Sequence, residues 1–482
     1  MNVNIDVVRL IYTGIGWFFV AYLVAYTIFM ILSVTVGSVT LFEQRGRKQM
    51  QNRLDRMYYI PISILVPAHN ESVTVADTVR SLLEVSYRQY EIIVIDDGST
   101  DDTAKILIDT FGMKQITRPI HRLVPCREAR SVWFTEAWKC PITLVCKANG
   151  GKADALNMGI NASRYPYVIC MDADSMLQYD SLENIAAKVL EEDNVVAVGG
   201  MIRIVNNVTI DKGRVVEYRL PRQLVQCMQV LEYDRSFMAS RIFFDKFNGN
   251  LIISGAFGLF QKEFLVNMGG YNTNTMGEDM ELVVRIHAFA RANGIPYRIR
   301  YATDAVCWSQ APATLRDLCK QRRRWHIGLF QSISSNRQML FNPKYGLLSF
   351  VSFAYFTIYE LFSPYIEIFG VLSMILASMF NLINLPYMVL FLLIYMVLNA
   401  VLGLTAFFSR ISSMEITLRW RDIIRAIYVS VLENAGLRSV LAWVRFTALI
   451  GYRKKKNEWG TITRYKHNSA SEREEKPVAP DK

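Results

Sequence analysis

The sequence predicts an α/β domain with a mostly parallel sheet, inserted between transmembrane helices. Residues 11–42 and 386–408 contain no charged residue, and each run exceeds the roughly 20 residues that cross ~30 Å of hydrocarbon. Between them, residues 60–330 alternate strand-like and helix-like stretches. The strand-like stretches are almost continuously apolar, which is typical of a parallel sheet covered on both faces.

The composition limits the class of protein. A chain of 482 residues, of which 51% are hydrophobic, suits one large soluble domain together with membrane segments. The formal net charge of +11 is attributed to basic residues that flank the apolar runs, because no basic, aromatic-laced face predicts nucleic-acid binding. The seven cysteines are irregularly spaced and form no C-x-x-C pair, so reduced cytosolic thiols are expected.

The first apolar run predicts an N-terminal transmembrane helix within residues 1–42. The run is too long for a cleavable signal peptide, and no small-residue cleavage site ends it cleanly. Basic side chains are frequent after the run, from Arg45 to Arg56, whereas only Arg9 precedes it. The positive-inside rule therefore places the N-terminus outside and the chain from residue 43 onward in the cytosol.

Polar residues follow three of the predicted strands. Asn70 follows the first, Asp97 the second, and Asp172 and Asp174 follow the run YPYVICM. In open α/β sheets, ligands bind at the carboxyl ends of the strands. Carboxylates two residues apart on an extended segment point to one face, and Mg²⁺ or Mn²⁺ prefers such oxygen ligands. A solvated acidic turn is the alternative, but the position at a strand end favours a metal site.

Two further motifs suit phosphate binding and proton transfer. The run GGK ends at Lys152, directly before a helical pattern; glycines let the backbone approach a ligand, and a lysine neutralises phosphate. The spacings of the Walker and dinucleotide loops are absent.

Glu278 and Asp279 begin an amphipathic helix, whose N-terminus favours the ionised carboxylate that a general base requires. Ordinary helix capping is the alternative explanation for this acidic pair.

The stretch KQRRRWHIGLFQ stands just before the apolar C-terminal region. On a helix, Gln321, Arg324 and Trp325 share one face, so an amide, a cation and a flat aromatic ring would point in the same direction. Arg322 and Arg323 would point elsewhere and are expected to meet anionic lipid headgroups.

The run 345–380 predicts further membrane segments. As one straight helix it would extend ~54 Å, so it is expected to kink at Pro364 or to split in two. Glu360 and Glu367 lie within it, and carboxylates at that depth favour a polar cavity, with helix ends near the headgroups as the alternative.

Taken in order, these motifs resemble those of the family-two inverting glycosyltransferases, most closely their processive membrane branch, the synthases of cellulose, chitin, hyaluronan and poly-N-acetylglucosamine. The series is V-P-A-H-N-E, D-D-G-S-T-D, G-G-K-A-D-A-L-N, D-A-D, S-G-A, G-E-D and Q-R-R-R-W, followed by hydrophobic spans. The resemblance covers residues 60–330 by motif and the remainder by architecture. It implies a nucleotide-sugar-binding α/β domain of the family A glycosyltransferase fold.

The resemblance also implies roles for individual residues. The implied catalytic residues are Asp279 as the base, together with Glu278, Gln321, Arg324 and Trp325. The implied donor-binding residues are Asn70, Asp97, Lys152, Asp172 and Arg324, with Trp459, Thr461 and Arg464 in a W-G-T gating loop. The implied acceptor-binding residues are Ser254, Gly255, Glu278 and Trp325, and the implied ligands of Mg²⁺ or Mn²⁺ are Asp174 and Asp172. The family's T-E-D is G-E-D here, so Gly277 replaces a threonine; this departure is expected to leave the base unaffected and to alter how the loop presents the acceptor.

The implied reaction is inverting transfer of a hexosyl or N-acetylhexosaminyl group from a UDP-sugar to a growing glycan, followed by export of the polymer. A single-addition transferase acting on a lipid-linked acceptor is the alternative, and an inert scaffold subunit is a third hypothesis. The expected location is the plasma (inner) membrane, multi-pass, with a cytosolic catalytic domain. The expected partners are the UDP-sugar, the glycan acceptor and the bilayer, with an accessory subunit or a homo-oligomer left open and no nucleic acid.

These expectations divide the chain into six parts: an N-terminal transmembrane helix (1–42), a glycosyltransferase domain (43–320), interfacial helices with QRRRW (321–344), transmembrane helices and a hairpin (345–451), a gating loop (452–466) and a disordered tail (467–482). The hairpin is predicted from two short apolar helices at residues 422–435 and 437–451. The insertion at residues 113–146 is left without a role, as either a lid or a partner surface.

Overall fold

The computed structural model describes residues 5–51 and 59–450. The predicted gating loop, with Trp459, Thr461 and Arg464, and the predicted disordered tail therefore lie outside the described residues.

The described chain contains twelve strands and fourteen α-helices. The strands are β1 Ile62–Ala68, β2 Tyr90–Asp96, β3 Lys114–Ile116, β4 Ala129–Thr135, β5 Ile142–Lys147, β6 Tyr167–Met171, β7 Met176–Leu177, β8 Val195–Ile204, β9 Val208–Asp211, β10 Arg214–Tyr218, β11 Phe257–Gln261 and β12 Arg298–Ser309. The helices are α1 Ile5–Gln51, α2 Val75–Glu84, α3 Thr103–Phe111, α4 Lys152–Ala162, α5 Ser181–Glu191, α6 Leu224–Tyr233, α7 Ile242–Asp245, α8 Lys262–Asn267, α9 Glu278–Ala292, α10 Leu315–Ser335, α11 Ser363–Met379, α12 Leu385–Ser413, α13 Trp420–Leu432 and α14 Arg438–Phe446.

Ten strands form one sheet in the order β3-β4-β5-β2-β1-β6-β11-β8-β12-β7, and β9 pairs with β10 separately. The centre of the sheet, β5-β2-β1-β6, is parallel as predicted. The sheet as a whole is mixed, because β11 runs antiparallel to both β6 and β8. The edge strands β3 and β7 are antiparallel to their neighbours as well, and β4 is antiparallel to β5. The α/β class is confirmed, and the expectation of a mostly parallel sheet is corrected to a parallel centre.

Helices cover both faces of the sheet, which explains why its central strands are apolar throughout. On one face, α2, α3 and α5 bury residues such as Val79, Leu107 and Ile185 against the strands. On the other face, α4, α8 and α9 bury residues such as Leu156 and Leu282. The two cores hold the carboxyl ends of β1, β2 and β6 in fixed positions, where the polar motif residues follow.

The insertion at residues 113–146 is part of the sheet. It contributes β3 and β4, which extend the sheet beyond β5. Val124 is buried among residues of α4, and the Trp138 indole donates a hydrogen bond to the carbonyl of Phe111. The described insertion is therefore an ordered edge of the domain.

Two helices are long and apolar enough to cross a membrane, at Val7–Gln44 and Leu385–Ser413, by length and composition. A third span exists if the helical segments Leu348–Leu361 and Ser363–Met379, which meet at an angle of 48°, count as one. The break falls where Pro364 occupies the first turn of α11, so the predicted kink is confirmed. Proline is favoured there because its missing N–H needs no partner in a first turn.

The predicted hairpin is not formed. Between α13 and α14, Glu433–Leu437 is a π-helical turn, and its flanking residues Leu432 and Arg438 keep right-handed helical backbone angles. The chain therefore continues along a helical path where a reversal was expected. The sequence gives no local signal for a π-helical turn, which is rare and is usually imposed by tertiary packing.

The α/β domain is anchored to both membrane helices. Arg410, near the end of α12, is buried and donates a hydrogen bond of 2.9 Å to the carbonyl of Thr303 in β12. Gln44, near the end of α1, accepts a hydrogen bond from the hydroxyl of the same threonine. Helices α1 and α12 also pack against each other, with the Ser38 and Ser409 hydroxyls 3.0 Å apart. One residue in the middle of β12 thus links the sheet to both membrane helices.

Candidate active site

A cavity of about 420 Å³ lies between the carboxyl edge of the sheet and the membrane helices. Most of the residues predicted to act in the site line it. They are Lys152, Asp172, Ser254, Gly255, Glu278, Asp279, Gln321, Arg324 and Trp325. The structure therefore brings together five motifs that are separated by up to about 170 residues in the sequence.

Lys152 is the centre of charge in this cavity. It is the first residue of α4, and its Nζ lies 2.5 Å from Asp172 Oδ1 and 3.4 Å from Glu278 Oε1. The same Nζ donates a hydrogen bond of 3.3 Å to the carbonyl of Gly255. One ammonium group thus joins the G-G-K, D-A-D, S-G-A and G-E-D motifs.

The charges in this cluster perturb one another. Burial raises the pKa of the Glu278 carboxyl; Lys152 lowers it in part, and neighbouring Asp279 raises it further. Burial also opposes the charge on Lys152, but Asp172 and Glu278 together raise the pKa of its ammonium group well above the usual value. The lysine therefore stays cationic at neutral pH and is available to an anionic ligand.

The acidic pair is positioned by two glycines. Helix α9 begins at Glu278, and the Asp279 carboxylate accepts a hydrogen bond of 2.8 Å from the N–H of Met280. The preceding Gly277 touches Gly328 of α10 so closely that a Cβ on Gly277 would lie 2.9 Å from the Cα of Gly328. Backbone packs directly on backbone there, which explains why a threonine does not occupy position 277.

Helix α10 carries the QRRRW residues. Trp325 is 40% exposed, and its ring lies 6.4 Å from the ring of Tyr233. The expectation that Arg322 meets lipid headgroups is wrong, because this arginine is buried, lies 4.5 Å over the Trp325 ring and pairs with Glu232 at 2.7 Å. Arg323 donates a hydrogen bond to the Thr447 hydroxyl. The Arg322 guanidinium thus lies against the Trp325 ring, although a helical wheel places the two side chains on different faces of α10.

Asn70 and Asp97, two of the predicted donor-binding residues, lie outside the cavity wall and support it. Asp97 is buried and accepts hydrogen bonds from the N–H groups of Gly150 and Gly151, at 3.0 and 2.7 Å, and from Lys147. Asn70 accepts a hydrogen bond of 2.8 Å from the N–H of Thr100 and so links the loops after β1 and β2. Gly151 has a φ of +87°, which glycine adopts without strain. In this structure Asp97 holds the glycine turn that places Lys152.

The two aspartates of D-A-D differ in exposure. The Asp172 side chain is 33% exposed and lines the cavity, whereas Asp174 is 4% exposed and is absent from the described lining. Within residues 5–51 and 59–450, no group of three or more histidine, cysteine or acidic side chains is placed to hold a metal. The carboxylate oxygens of Asp172 and Asp174 suit a hard cation. Such a cation would need phosphate oxygens of a ligand to complete its coordination.

The membrane side of the cavity contains residues that the motifs did not predict. Three arginine–glutamate pairs lie at this end: Arg235 with Glu433 at 2.5 Å, Arg445 with Glu360 at 3.7 Å and Arg438 with Glu367 at 3.5 Å. Three π-helical segments also supply wall residues: Asp234–Arg241, Phe356–Leu361 and Glu433–Leu437. Segments of this kind are rare and frequently occur at functional sites.

Several buried polar atoms in this wall have no hydrogen-bond partner. They are Gln321 Oε1, His326 Nδ1 and Nε2, Arg241 Nη1, Glu433 Oε2 and Arg445 Nε. Such atoms cost free energy unless water or a ligand satisfies them. A cavity with aromatic rings and unsatisfied polar atoms on one wall suits a polyhydroxylated ligand.

Two family models match the chain. "Glycosyl transferase family 2" matches residues 63–122, and "Glycosyl transferase family group 2" matches residues 167–404. Together the two ranges span more than half of the sequence and include every motif from V-P-A-H-N-E to Q-R-R-R-W except G-G-K.

Similar proteins include two polysaccharide synthases. The poly-β-1,6-N-acetyl-D-glucosamine synthase of Staphylococcus epidermidis is 30% identical over 311 residues, which is 64% of this chain and 64% of that protein. The synthase of the same name from Staphylococcus aureus is 30% identical over 64% of this chain and 65% of its own length. The chain thus matches less than two thirds of either relative.

Solved structures give distant matches. The mannosyltransferase PcManGT from Pyrobaculum calidifontis, in complex with GDP-Man and Mn²⁺, has a TM-score of 0.48 and 19% identity over 86% of this chain and 99% of that one. Residues 1–349 of S. aureus TarS give a TM-score of 0.37 and 13% identity over 84% of this chain and 94% of that one. From its two family matches and its ordered motif series, the chain belongs to glycosyltransferase family 2.

Proposed function

We infer that the protein is a processive β-glycosyltransferase that polymerises a sugar from a UDP-sugar and moves the polymer across the membrane. The observation that carries this proposal is that one cavity is lined both by the acid pair and by residues of the membrane-side helices. The similarity to poly-β-1,6-N-acetyl-D-glucosamine synthases makes UDP-N-acetylglucosamine the proposed donor.

Asp279 is the proposed general base. It lies in the first turn of α9, where the helix dipole favours its ionised form. In this position it accepts the proton of the acceptor hydroxyl while that oxygen attacks the anomeric carbon. A single displacement of this kind inverts an α-linked donor to a β-linked product.

Trp325, Gln321 and Ser254 would position the acceptor. The half-exposed indole offers a flat surface for a sugar ring, and the unpartnered Gln321 Oε1 accepts a hydrogen bond from a sugar hydroxyl. Holding the acceptor in place lowers the entropic cost of the reaction.

Lys152 and Arg324 would stabilise the leaving diphosphate, since both cations line the cavity beside the acid pair. Asp172 and Asp174 would hold Mg²⁺ or Mn²⁺ with phosphate oxygens of the donor, and the bound cation would neutralise charge on the leaving group. The W-G-T segment with Trp459, Thr461 and Arg464 remains the proposed closing loop over the donor. Asn70 and Asp97 would hold the loops on the donor side of the cavity in position.

The paired charges and aromatic rings of the membrane side would line the path of the product. The proposed topology has the N-terminus outside, a multi-pass chain in the plasma membrane and the catalytic domain in the cytosol. An accessory subunit or a homo-oligomer remains a prediction.

The test is donor turnover by the full chain in nanodiscs with Mg²⁺ or Mn²⁺. UDP-N-acetylglucosamine, UDP-glucose, UDP-glucuronate and UDP-galactose are supplied in turn, and UDP release and product length are measured. Asp279→Asn is expected to lower turnover by about 10²- to 10⁴-fold, whereas Asp193→Asn on the exposed surface is the matched control.

A long polymer from UDP-N-acetylglucosamine, lost in Asp279→Asn, supports the proposal in full. A long polymer from another donor supports processive polymerisation and contradicts UDP-N-acetylglucosamine as the donor. Transfer of a single sugar to lipid overturns processivity and favours the alternative of a single-addition transferase.

A further inference from the structure

Two buried histidines in this protein have opposite environments. His287 is fully buried in α9, and both of its ring nitrogens are paired, Nδ1 with the Tyr297 hydroxyl at 2.7 Å and Nε2 with the Asn250 carbonyl at 2.8 Å. His326 in α10 is 2% exposed, and neither ring nitrogen has a partner. An unpartnered buried polar group lowers the stability of the fold, so a fold-stabilising role explains His287 and leaves His326 unexplained.

His326 lies in the wall of the cavity, on its membrane side. Its ring is 6.3 Å from the ring of Tyr365 in α11, and Arg445 of α14 is close enough to influence its charge. Trp325, the preceding residue, instead contacts Tyr233 and Arg322. Successive residues point about 100° apart around a helix, so a chain passing from Trp325 toward α11 and α14 meets His326 next.

The imidazole is neutral at physiological pH. Burial, with a smaller contribution from Arg445, lowers its pKa to about 4. A neutral imidazole offers one N–H donor and one acceptor nitrogen. That combination matches a sugar hydroxyl or acetamido group, each of which can donate or accept a hydrogen bond.

We propose that His326 is a specificity-determining residue that hydrogen-bonds the sugar unit next to the one stacked on Trp325. The inference rests on the proposed function, because it requires a glycan acceptor in the cavity. It adds a second acceptor contact, one sugar unit farther from the acid pair than the indole.

The experiment measures acceptor kinetics in nanodiscs with UDP-N-acetylglucosamine as donor. The acceptors are N-acetylglucosamine and its β-1,6-linked disaccharide, because the proposal requires a second sugar unit for the contact with His326. In His326→Leu the KM for the disaccharide is expected to rise about 3- to 10-fold, the worth of one or two hydrogen bonds, while the KM for the monosaccharide stays unchanged. His326→Asn, which keeps a donor and an acceptor, restores most of the disaccharide affinity.

Thermal stability separates a binding role from a structural one. His326→Leu is expected to have a Tm at or above that of the wild type, because it removes two unsatisfied nitrogens. His287→Leu, the matched control, is expected to lower Tm because it removes two satisfied hydrogen bonds. An equal rise in KM for both acceptors, or a lower Tm in His326→Leu, overturns the inference.

The wild type distinguishes this inference from the proposed function. If the wild type elongates the disaccharide and His326→Leu matches it in KM, His326 has no acceptor role and the proposed function stands. If the wild type uses neither acceptor nor donor, the proposed function itself fails.

Discussion

The two ends of the cavity are both rich in charge, but they arrange it differently. At the sheet end, one ammonium group is shared by two carboxylates, since Lys152 contacts both Asp172 and Glu278. At the membrane end, three arginines are each paired with a separate carboxylate, as in the pair of Arg235 and Glu433. Because Lys152 is shared by two carboxylates, the charges of this cluster can rearrange around a new ligand. Each arginine–glutamate pair, in contrast, neutralises its own charges.

The difference suits two tasks of the proposed polymerising enzyme. Bond formation needs cations and a base that act on developing charge. Passage of a neutral chain needs a wall that is polar without holding any one unit too tightly. Four predictions test this comparison.

Removing the shared cation should have the largest effect. Lys152→Ala leaves Asp172 and Glu278 without their common partner and removes a cation from the proposed site of the leaving diphosphate. Turnover should fall about 10²- to 10³-fold, as for loss of one transition-state donor. The measurement is UDP release, and Lys188→Ala, which breaks an exposed pair with Glu191, is the control. Equal turnover in the two variants would contradict the role given to the sheet end.

A methyl group at the glycine contact should come second. Gly277→Ala places a Cβ against the backbone of Gly328, which cannot move aside as a side chain would, so α9 and α10 must separate. Moving a catalytic group by about 1 Å costs on the order of 10²-fold in rate, and turnover should fall 10- to 100-fold with a lower Tm. Gly16→Ala in α1, where no atom lies within 4 Å of the added Cβ, should retain the turnover and the Tm of the wild type. A fully active Gly277→Ala would show that the contact does not position the base.

Breaking one membrane-end pair should affect stability more than chemistry. Arg235→Met leaves Glu433 buried and unpaired, which costs about 3–5 kcal/mol, so Tm should drop by several degrees. The double variant Arg235→Met/Glu433→Leu should recover most of the loss. Transfer to a monosaccharide acceptor should persist while the polymer shortens. Lys320→Met, which breaks the exposed pair with Asp317, is the control, and an undiminished polymer in Arg235→Met would remove the case for a product path.

Acidification should have the smallest effect. Burial lowers the pKa of His287 and of His326 to about 4, below the usual value near 6.5. Between those values the folded protein binds fewer protons than the unfolded chain, so stability is full above pH 6.5 and falls toward pH 4, by at most about 3 kcal/mol per histidine. Tm measured at pH 7 and 4.5 should fall less in His326→Leu than in the wild type. An equal fall in Tm in the wild type and in His326→Leu would contradict a buried neutral His326.

The sequence was sufficient to place four residues at the sheet end of the cavity, but not to show that Asn70, Asp97 and Asp174 lie outside its lining. Lys152, Asp172, Glu278 and Asp279 each follow a strand or begin a helix, and such positions can be recognised from local patterns. The predicted helix face of Gln321, Arg324 and Trp325 also lines the cavity, as the helical period requires.

The membrane end could be predicted only in part: Glu360 was expected to favour a polar cavity and lines this one, but the remaining partners are brought together by tertiary contacts. Arg235 and Glu433 are 198 residues apart, and no local pattern links them. Arg322 was assigned to lipid because a helical wheel omits neighbouring helices, yet Glu232 of α6 binds it. The two aspartates of D-A-D looked equivalent by spacing, but the turn after β6 buries only the second.

The contact of Gly277 with Gly328 has a practical consequence for redesign of this enzyme. The two helices that carry the proposed base and the indole touch backbone to backbone at this point, and the side chains of Met280, Val284 and Ile333 pack beside it. Libraries aimed at new acceptors can therefore keep both glycines and vary wall residues contributed by α11 and α14, such as Ser363 and Leu441. The glycine pair is the fixed reference from which such engineering should start.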